Sequence, residues 1–354
     1  MRKLEFIVVV GTRPNFMKIM PLCKEFAAQK IQYKIFSSGQ HYDYEMAGIF
    51  EKQFKLEKIY HYQRTKDNSV ENIQETIFAF KKYLFQNRSV SGVIVVGDVN
   101  TSYACALATK AYKMPLIHIE AGLRSFDLTM PEESNRITID HLSDMLFVSC
   151  KDAITNLTNE QIIKNIYFVG NIMIDTLRIT IEDLEEKKKF DKNYIIVTIH
   201  RPENVDDEER LSIITNQINL LSKKYKNIIL PLHPRTKKQI DRFKLWDRLS
   251  NCICSEPLGY EELLSLLLRA KAVITDSGGL QEETTYLHVP CFTVRKSTER
   301  PITITEGTNR LIEPYEIVNA IDNISQHKYP STIPELWDGH TAERIVNILK
   351  EFNF

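Results

Sequence analysis

The sequence predicts an α/β protein of two doubly wound domains facing a cleft, each a parallel sheet with helices on both faces. Three observations carry this. The chain has 354 residues, enough for two cores at roughly 150 residues per domain. Its strand candidates are short and almost wholly apolar, as strands buried on both faces must be. They alternate with longer segments of helical period, and this βαβα order implies parallel pairing.

The first half runs as follows. Leu4–Val10 is an apolar strand. Pro14–Ala28 carries apolar residues at helical spacing, with Pro14 suited to a first turn. Tyr33–Phe36 is a strand, Glu71–Phe85 a helix and Gly92–Val96 a buried strand. A polar turn leads to an Ala-rich helix, Tyr103–Tyr112. Strand Leu116–Ile119, helix Glu132–Ser143 and strands Met145–Val148 and Ile166–Val169 follow. Ile174–Phe190 ends in EDLEEKKKF, a solvated helix end at an expected domain boundary.

A second series begins at strand Tyr194–Ile199. It continues through helix Glu208–Ser222, strand Ile228–Leu232 and helices Arg235–Phe243 and Tyr260–Leu268. Strand Ala272–Ile274, helix Gly279–Leu287 and strand Cys291–Val294 complete it. The closing helix, Thr341–Phe352, is amphipathic and suits either domain. The expected division is 1–172 and 173–340, with 341–354 able to pack back on the first domain.

Composition removes several function classes. Lys and Arg number 46 against 46 Asp and Glu, without the basic excess of nucleic-acid or anionic-membrane binders. A hydrophobic fraction of 43% argues against disorder. Six scattered cysteines form neither a disulfide framework nor zinc-ligand spacing, and read as buried, reduced thiols of a cytoplasmic protein. The apolar run near the N-terminus is too short for a signal peptide. Nothing approaches the length of a membrane span.

Ligands of doubly wound sheets bind beyond the carboxyl ends of the strands, so those turns carry the candidates. The first is Gly11-Thr12-Arg13-Pro14-Asn15-Phe16-Met17-Lys18, a Gly turn into a helix N-terminus, which attracts anions. A plain turn with two surface cations, Arg13 and Lys18, accounts for it equally well. Asp98 follows the third apolar strand, Glu120 the fourth, and Glu132 opens the next helix. Capping would explain Asp98 and helix-dipole charge Glu132. Glu120, directly after an apolar run and before Gly122, has no cap to make. Together the three carboxylates suggest acid/base chemistry.

In the second half, His200 and Arg201 end one strand and His233 another. The His200–Arg201 pair suits binding or proton transfer, and for His233 a structural role accounts for it equally well. Thr275-Asp276-Ser277-Gly278-Gly279-Leu280-Gln281-Glu282-Glu283 is the strongest local signal. Small residues expose backbone N–H groups at a helix N-terminus, a phosphate seat, and Glu283 one turn on can reach a ribose diol.

The motifs GTRPNFMK, GQH, GDVNT, HIEAGLRS, MPEESNR, GNIMIDTL, HRPENVD, LHPR, TDSGGLQEE and TERP…EGTNRL occur in this order over residues 5–312. With them the chain resembles the non-hydrolysing UDP-N-acetylglucosamine 2-epimerases. The resemblance implies two Rossmann-like domains in a GT-B-like arrangement, a homodimer and no nicotinamide or metal. It implies a UDP-sugar substrate and inversion at C2 through elimination of UDP and its re-addition to 2-acetamidoglucal. It puts the catalytic groups on Asp98, Glu120, Glu132 and His200. It puts substrate contacts on Arg13, Lys18, His41, Arg136, Arg201, His233, Ser277, Gly278, Gly279 and Glu283. Where known bacterial members carry Arg and a Gln-type residue at an activator site, this chain has Tyr42 and Asp43, so substrate activation is expected to be lost. Relatives acting on other UDP-2-acetamido sugars, a GT-B glycosyltransferase and a non-catalytic sugar-nucleotide binder are the competing readings.

Overall fold

Val8, Val9 and Val10 are fully enclosed, as a strand at the centre of a two-sided sheet requires. The structure, a computed structural model, describes residues 4–39, 59–63, 69–184, 194–326, 329–330 and 332–352. Its chain divides into two compact units, Met1–Thr176 with Glu335–Phe354, and Leu177–Pro334.

Unit 1 contains β1 (Glu5–Val10), α1 (Arg13–Ala28), β2 (Gln32–Gly39), β3 (Ile59–Gln63), α2 (Ser69–Gln86), β4 (Gly92–Val96) and α3 (Asn100–Ala111). Then come β5 (Leu116–Ala121), α4 (Pro131–Leu142), β6 (Met145–Val148), α5 (Lys151–Asn159), β7 (Ile166–Phe168) and α6 (Ile172–Leu184), within which the units divide. The seven strands pair in parallel in the order β3-β2-β1-β4-β5-β6-β7. The order reverses between β1 and β4, and ligands of such sheets gather at that crevice. Phe36, Phe80, Leu84, Val93, Val95, Cys105 and Leu116 form one face of the core.

Unit 2 contains β8 (Ile195–Thr198), α7 (Pro202–Val205), α8 (Glu208–Lys224), β9 (Ile228–Pro231), α9 (Pro234–Phe243), β10 (Ile253–Ser255) and α10 (Tyr260–Leu267). It goes on through β11 (Ala272–Thr275), α11 (Gly278–Tyr286), β12 (Cys291–Thr293), α12 (Ile302–Thr305), β13 (Asn309–Leu311) and α13 (Ile317–Asp322). Its parallel order, β10-β9-β8-β11-β12-β13, reverses between β8 and β11. The last helix, α14 (Thr341–Glu351), belongs to unit 1 and packs on α1. Asp175 accepts its Thr341 and Ala342 N–H groups at 3.0 and 2.7 Å. Trp337, almost fully buried, donates its indole N–H to the Ser149 carbonyl at 3.0 Å.

Several elements differ from the sequence reading. β3, β10 and β13 were not anticipated, because edge strands carry polar and aromatic residues rather than apolar runs. α5 was not anticipated either, since KDAITNLTN is largely polar. The polar turn expected before Tyr103 is the first turn of α3, whose N-cap is Val99. Asp98 is therefore not the cap. β5 continues to Ala121, so Glu120 lies inside the strand, at a register break between Ile119 and Ala121. Cys254 on edge strand β10 is exposed and Cys252 half-buried, whereas the other four thiols are buried as expected. Residues 185–193, which include the end of the charge run, lie outside the described residues. Among the described residues no helix is long and apolar enough to cross a membrane.

Candidate active site

Glu120 is the centre of the unit 1 site. Its backbone is left-handed, at φ 73°, a strained conformation for a residue with a Cβ. The bulge re-aims its side chain, a use of bulges common beside active sites. The carboxylate is 9% exposed and ion-paired to Lys18, which is equally buried on α1. Gly97 makes room for the pair. It too is left-handed, at φ 61°, and a Cβ there would lie 3.0 Å from Glu120 Oε2 and 3.4 Å from Lys18 Nζ.

Asp98 follows Gly97 and is ion-paired to Arg136 of α4. The guanidinium is 5% exposed and also reaches Glu133 Oε2 at 3.0 Å. Its Nε is buried without a hydrogen-bond partner among the described residues. Glu132 and Glu133, adjacent in sequence, differ completely. Glu132 is exposed in the first turn of α4. Glu133 is 1% exposed and accepts from the Ser125 N–H, the Ser125 hydroxyl, the Phe126 N–H and Arg136.

The Gly97–Asp98 turn is clamped by side chains. Three successive carbonyls accept from side chains: Val96 from two, Asn15 Nδ2 at 3.0 Å and Ser102 Oγ at 2.8 Å, Gly97 from His118 Nε2 at 3.1 Å, and Asp98 from Asn135 Nδ2 at 2.9 Å. Asn15 also accepts from the Gly11 and Thr12 N–H groups. His118 places its other nitrogen 2.6 Å from Asp140. Asp140 accepts from the Gly122 N–H at 3.0 Å and pairs with Arg124 at 2.7 Å. Burial by itself would raise the Asp140 carboxyl, but His118 and Arg124 outweigh it and hold it below the usual range.

The unit 2 site centres on Asp276, which is fully buried at the end of β11. Its carboxylate accepts from the His200 and Arg201 N–H groups and from Asn204 Nδ2, the last two at 2.9 Å. His200 Nδ1 stands 3.1 Å from Asp276 Oδ1, with the ring 38% exposed. Arg201 donates Nε to the Asp276 carbonyl. Burial, then Arg295, push its guanidinium below the usual value. The His233 ring stacks obliquely on His200 at 5.4 Å, and its Nδ1 accepts from the Arg235 N–H at the start of α9. Burial, then the charges of His200 and Arg235, lower its pKa.

Ser277 is the N-cap residue of α11 but makes no side-chain capping bond, and the first turn of the helix carries no acidic residue. A Cβ on Gly279 would meet nothing within 4 Å, whereas one on Gly278 would press within 2.8 Å of Glu299 and Arg300. The open backbone at Gly279 leaves room for an anion to reach the N–H groups of the helix. Glu283 is 4% exposed. Burial, then the Glu283 carboxylate, push the Tyr260 hydroxyl well above its usual range.

Of the sequence candidates, unit 1 thus brings together Lys18, Asp98, Glu120 and Arg136, with Glu132 on α4. Unit 2 groups His200, Arg201 and His233, and separately sets Ser277, Gly278, Gly279 and Glu283 along α11. His41 lies outside the described residues, as do Tyr42 and Asp43, and of Arg13 only the backbone is described. Sequence reasoning passed over Asn15, His118, Arg124, Asn135, Asp140 and Asp276. Asn15 had a signal, since Thr12 with Asn15 three residues on has capping-box spacing. Asp276 stood inside a quoted motif.

Comparison with known proteins bears on the family and the fold. A UDP-N-acetylglucosamine 2-epimerase from Methanococcus maripaludis is 38% identical, covering 97% of this chain and 97% of its own. A Pseudomonas aeruginosa UDP-2,3-diacetamido-2,3-dideoxy-D-glucuronate 2-epimerase is 36% identical over 87% of this chain and 88% of its own. The crystal structure of Methanocaldococcus jannaschii UDP-GlcNAc 2-epimerase with UDP-GlcNAc and UDP superposes with a TM-score of 0.90. It is 35% identical and covers 99% of this chain and 100% of its own. The profile of one family, UDP-N-acetylglucosamine 2-epimerase, matches residues 24–350, and it is to that family that this chain belongs.

Proposed function

We propose that this chain interconverts UDP-GlcNAc and UDP-ManNAc. In the reaction the C2 proton leaves as the bond from C1 to the UDP oxygen breaks, giving 2-acetamidoglucal and UDP. UDP then re-forms its bond to C1 while a proton reaches C2 from the opposite face. The C2–H lies beside no carbonyl, so departure of UDP carries much of the barrier. That calls for anion stabilisation at the leaving group and carboxylates at the sugar.

The observation that carries the reading is the setting of Asp98 and Glu120. Each lies at the carboxyl end of a strand of one sheet and is paired with a buried cation, Asp98 with Arg136 and Glu120 with Lys18. Glu132 supplies a third, exposed carboxyl on the same unit. Lys18 and Arg136 then act by holding these carboxylates as well as by meeting substrate. In unit 2 the α11 N-terminus seats the diphosphate, Glu283 takes the ribose and His200, oriented by Asp276, serves as the imidazole. The enzyme works as a cytoplasmic homodimer, by resemblance to the family.

A second sugar has specific support, the 36% identity to the diacetamido-glucuronate epimerase. Incubation of each UDP-sugar in D₂O, with C2 followed by NMR, decides between them. Deuterium entering C2 of UDP-GlcNAc without any acceptor supports the reading. Exchange in the uronate alone keeps the reaction and replaces the sugar. Absence of exchange in both refutes it.

A further inference from the structure

We propose that His118 is a positioning residue for Asp98 and Glu120, joining the Gly97 turn to Asp140 through its two ring nitrogens. The inference rests on the epimerase reading and names a group that touches no substrate.

The ring is enclosed between two partners. His118 is 0% exposed. Its Nε2 faces the Gly97 carbonyl oxygen at 3.1 Å, and a carbonyl only accepts, so Nε2 carries a hydrogen. Its Nδ1 faces Asp140 Oδ1 at 2.6 Å. Asp140 also accepts from the Gly122 N–H and pairs with Arg124. The ring thus bridges the Gly97 carbonyl and the Asp140 carboxyl group.

The positioning follows from what the two hydrogen bonds join. Gly97 is left-handed, and its Cα faces the Lys18–Glu120 pair with no side chain between. Its N–H donates to the Ile119 carbonyl at 3.0 Å, one residue before Glu120. Asp98 follows directly. At the other end, Asp140 holds the Gly122 N–H, two residues after Glu120. One ring thus ties the turn carrying Asp98 to the strand end carrying Glu120, at left-handed Gly97 and left-handed Glu120 together. A catalytic group displaced by about 1 Å costs on the order of 10²-fold in rate, so a tie between the two is where rate is protected.

The test compares His118→Leu, which removes the donor at similar volume, with His118→Gln, which keeps an amide N–H for the Gly97 carbonyl. Per folded molecule, His118→Leu is expected to lose about 30-fold or more in kcat, with UDP affinity unchanged. His118→Gln keeps the bond to the Gly97 carbonyl and loses the one to Asp140, so its kcat should lie between those of His118→Leu and wild type. A purely structural role would lower the melting temperature of both and leave kcat per folded molecule alike in the two. In parallel, ¹⁵N-histidine NMR of the wild type should show one ring with a slowly exchanging hydrogen on Nε2, absent from His118→Gln. Equal kcat in the two variants, or no hydrogen on His118 Nε2, overturns the proposal. The NMR arm needs no turnover and no variant enzyme that folds well, so it reports on His118 even where no C2 exchange is found.

Discussion

Gly97 and Glu120 share one space: the Cβ that Gly97 lacks would lie 3.0 Å from Glu120 Oε2. Both residues are left-handed, and they sit at the ends of neighbouring strands β4 and β5, which pair Val96 with Ile119. Glycine is thus required twice at position 97, for its backbone and for its neighbour.

Gly97→Ala follows directly. The left-handed backbone costs an L-residue about 1 kcal/mol, and the new methyl displaces the Glu120 carboxylate or Lys18. Denaturant unfolding should show a loss of about 1–3 kcal/mol, and kcat should fall about tenfold or more. A variant with wild-type kcat would mean that the carboxylate need not stay where Gly97 allows it.

Glu132 and Glu133 should separate cleanly. Glu132→Gln is expected to lower kcat by about 10²-fold, the usual scale for a lost acid or base, and to leave the melting temperature unchanged because the group is exposed. Glu133→Gln breaks a buried carboxylate with three acceptor bonds and an Arg136 pair, and should cost about 2 kcal/mol or more in stability. Thermal melts alongside initial rates distinguish the two, and a stability loss in Glu132→Gln would contradict the assignment.

Asp98→Asn, Glu120→Gln and His200→Ala should each lower kcat by about 10²-fold or more. UDP affinity, measured by calorimetry, should change little in Asp98→Asn and Glu120→Gln, since those groups belong to unit 1 and the proposed diphosphate seat to unit 2. Near wild-type turnover in Glu120→Gln would remove the central assignment.

His233 sets a pH dependence of stability. Its folded pKa lies below the ordinary 6.5, so below that pH the unfolded chain binds a proton that the folded chain resists. Stability from this group is full above 6.5 and falls as pH drops from there towards the depressed folded value. His233→Asn can still cap α9 and does not titrate. Unfolding curves across this window should therefore be flatter for the variant than for wild type, and parallel curves would exclude His233 as the source.

Regulation can be checked by kinetics. At the stretch that resembles the family's activator site, Tyr42 would offer one hydroxyl in place of the donor fork that Arg presents, and Asp43 would bring negative charge towards a pyrophosphate. Velocity against UDP-GlcNAc should be hyperbolic, and turnover should start from UDP-ManNAc alone. A lag from UDP-ManNAc that added UDP-GlcNAc abolishes would show the activator site to be intact.

The sequence by itself determined the two parallel sheets, because strands buried on both faces must be apolar throughout, and the runs Phe6–Val10, Gly92–Val96 and Ala272–Ile274 can be read without knowing their neighbours. It also singled out Asp98 and Glu120 as candidates, since strand-end turns of such sheets are where polar residues interrupt apolar runs, and Glu132 at the start of the helix that follows. It could not reveal β3, β10 or β13, whose edge positions relax the demand for apolar residues. Nor could it reveal that Lys18 belongs to Glu120, Arg136 to Asp98, or His118 to Asp140 and the Gly97 carbonyl. These partners lie 102, 38, 22 and 21 residues apart. What joins them is the order of strands in the sheet and the register of β5 against β4, and both are set by packing of the whole unit. A local pattern reports which residues must be buried or turned, whereas a buried charge finds its partner only once the strands are side by side.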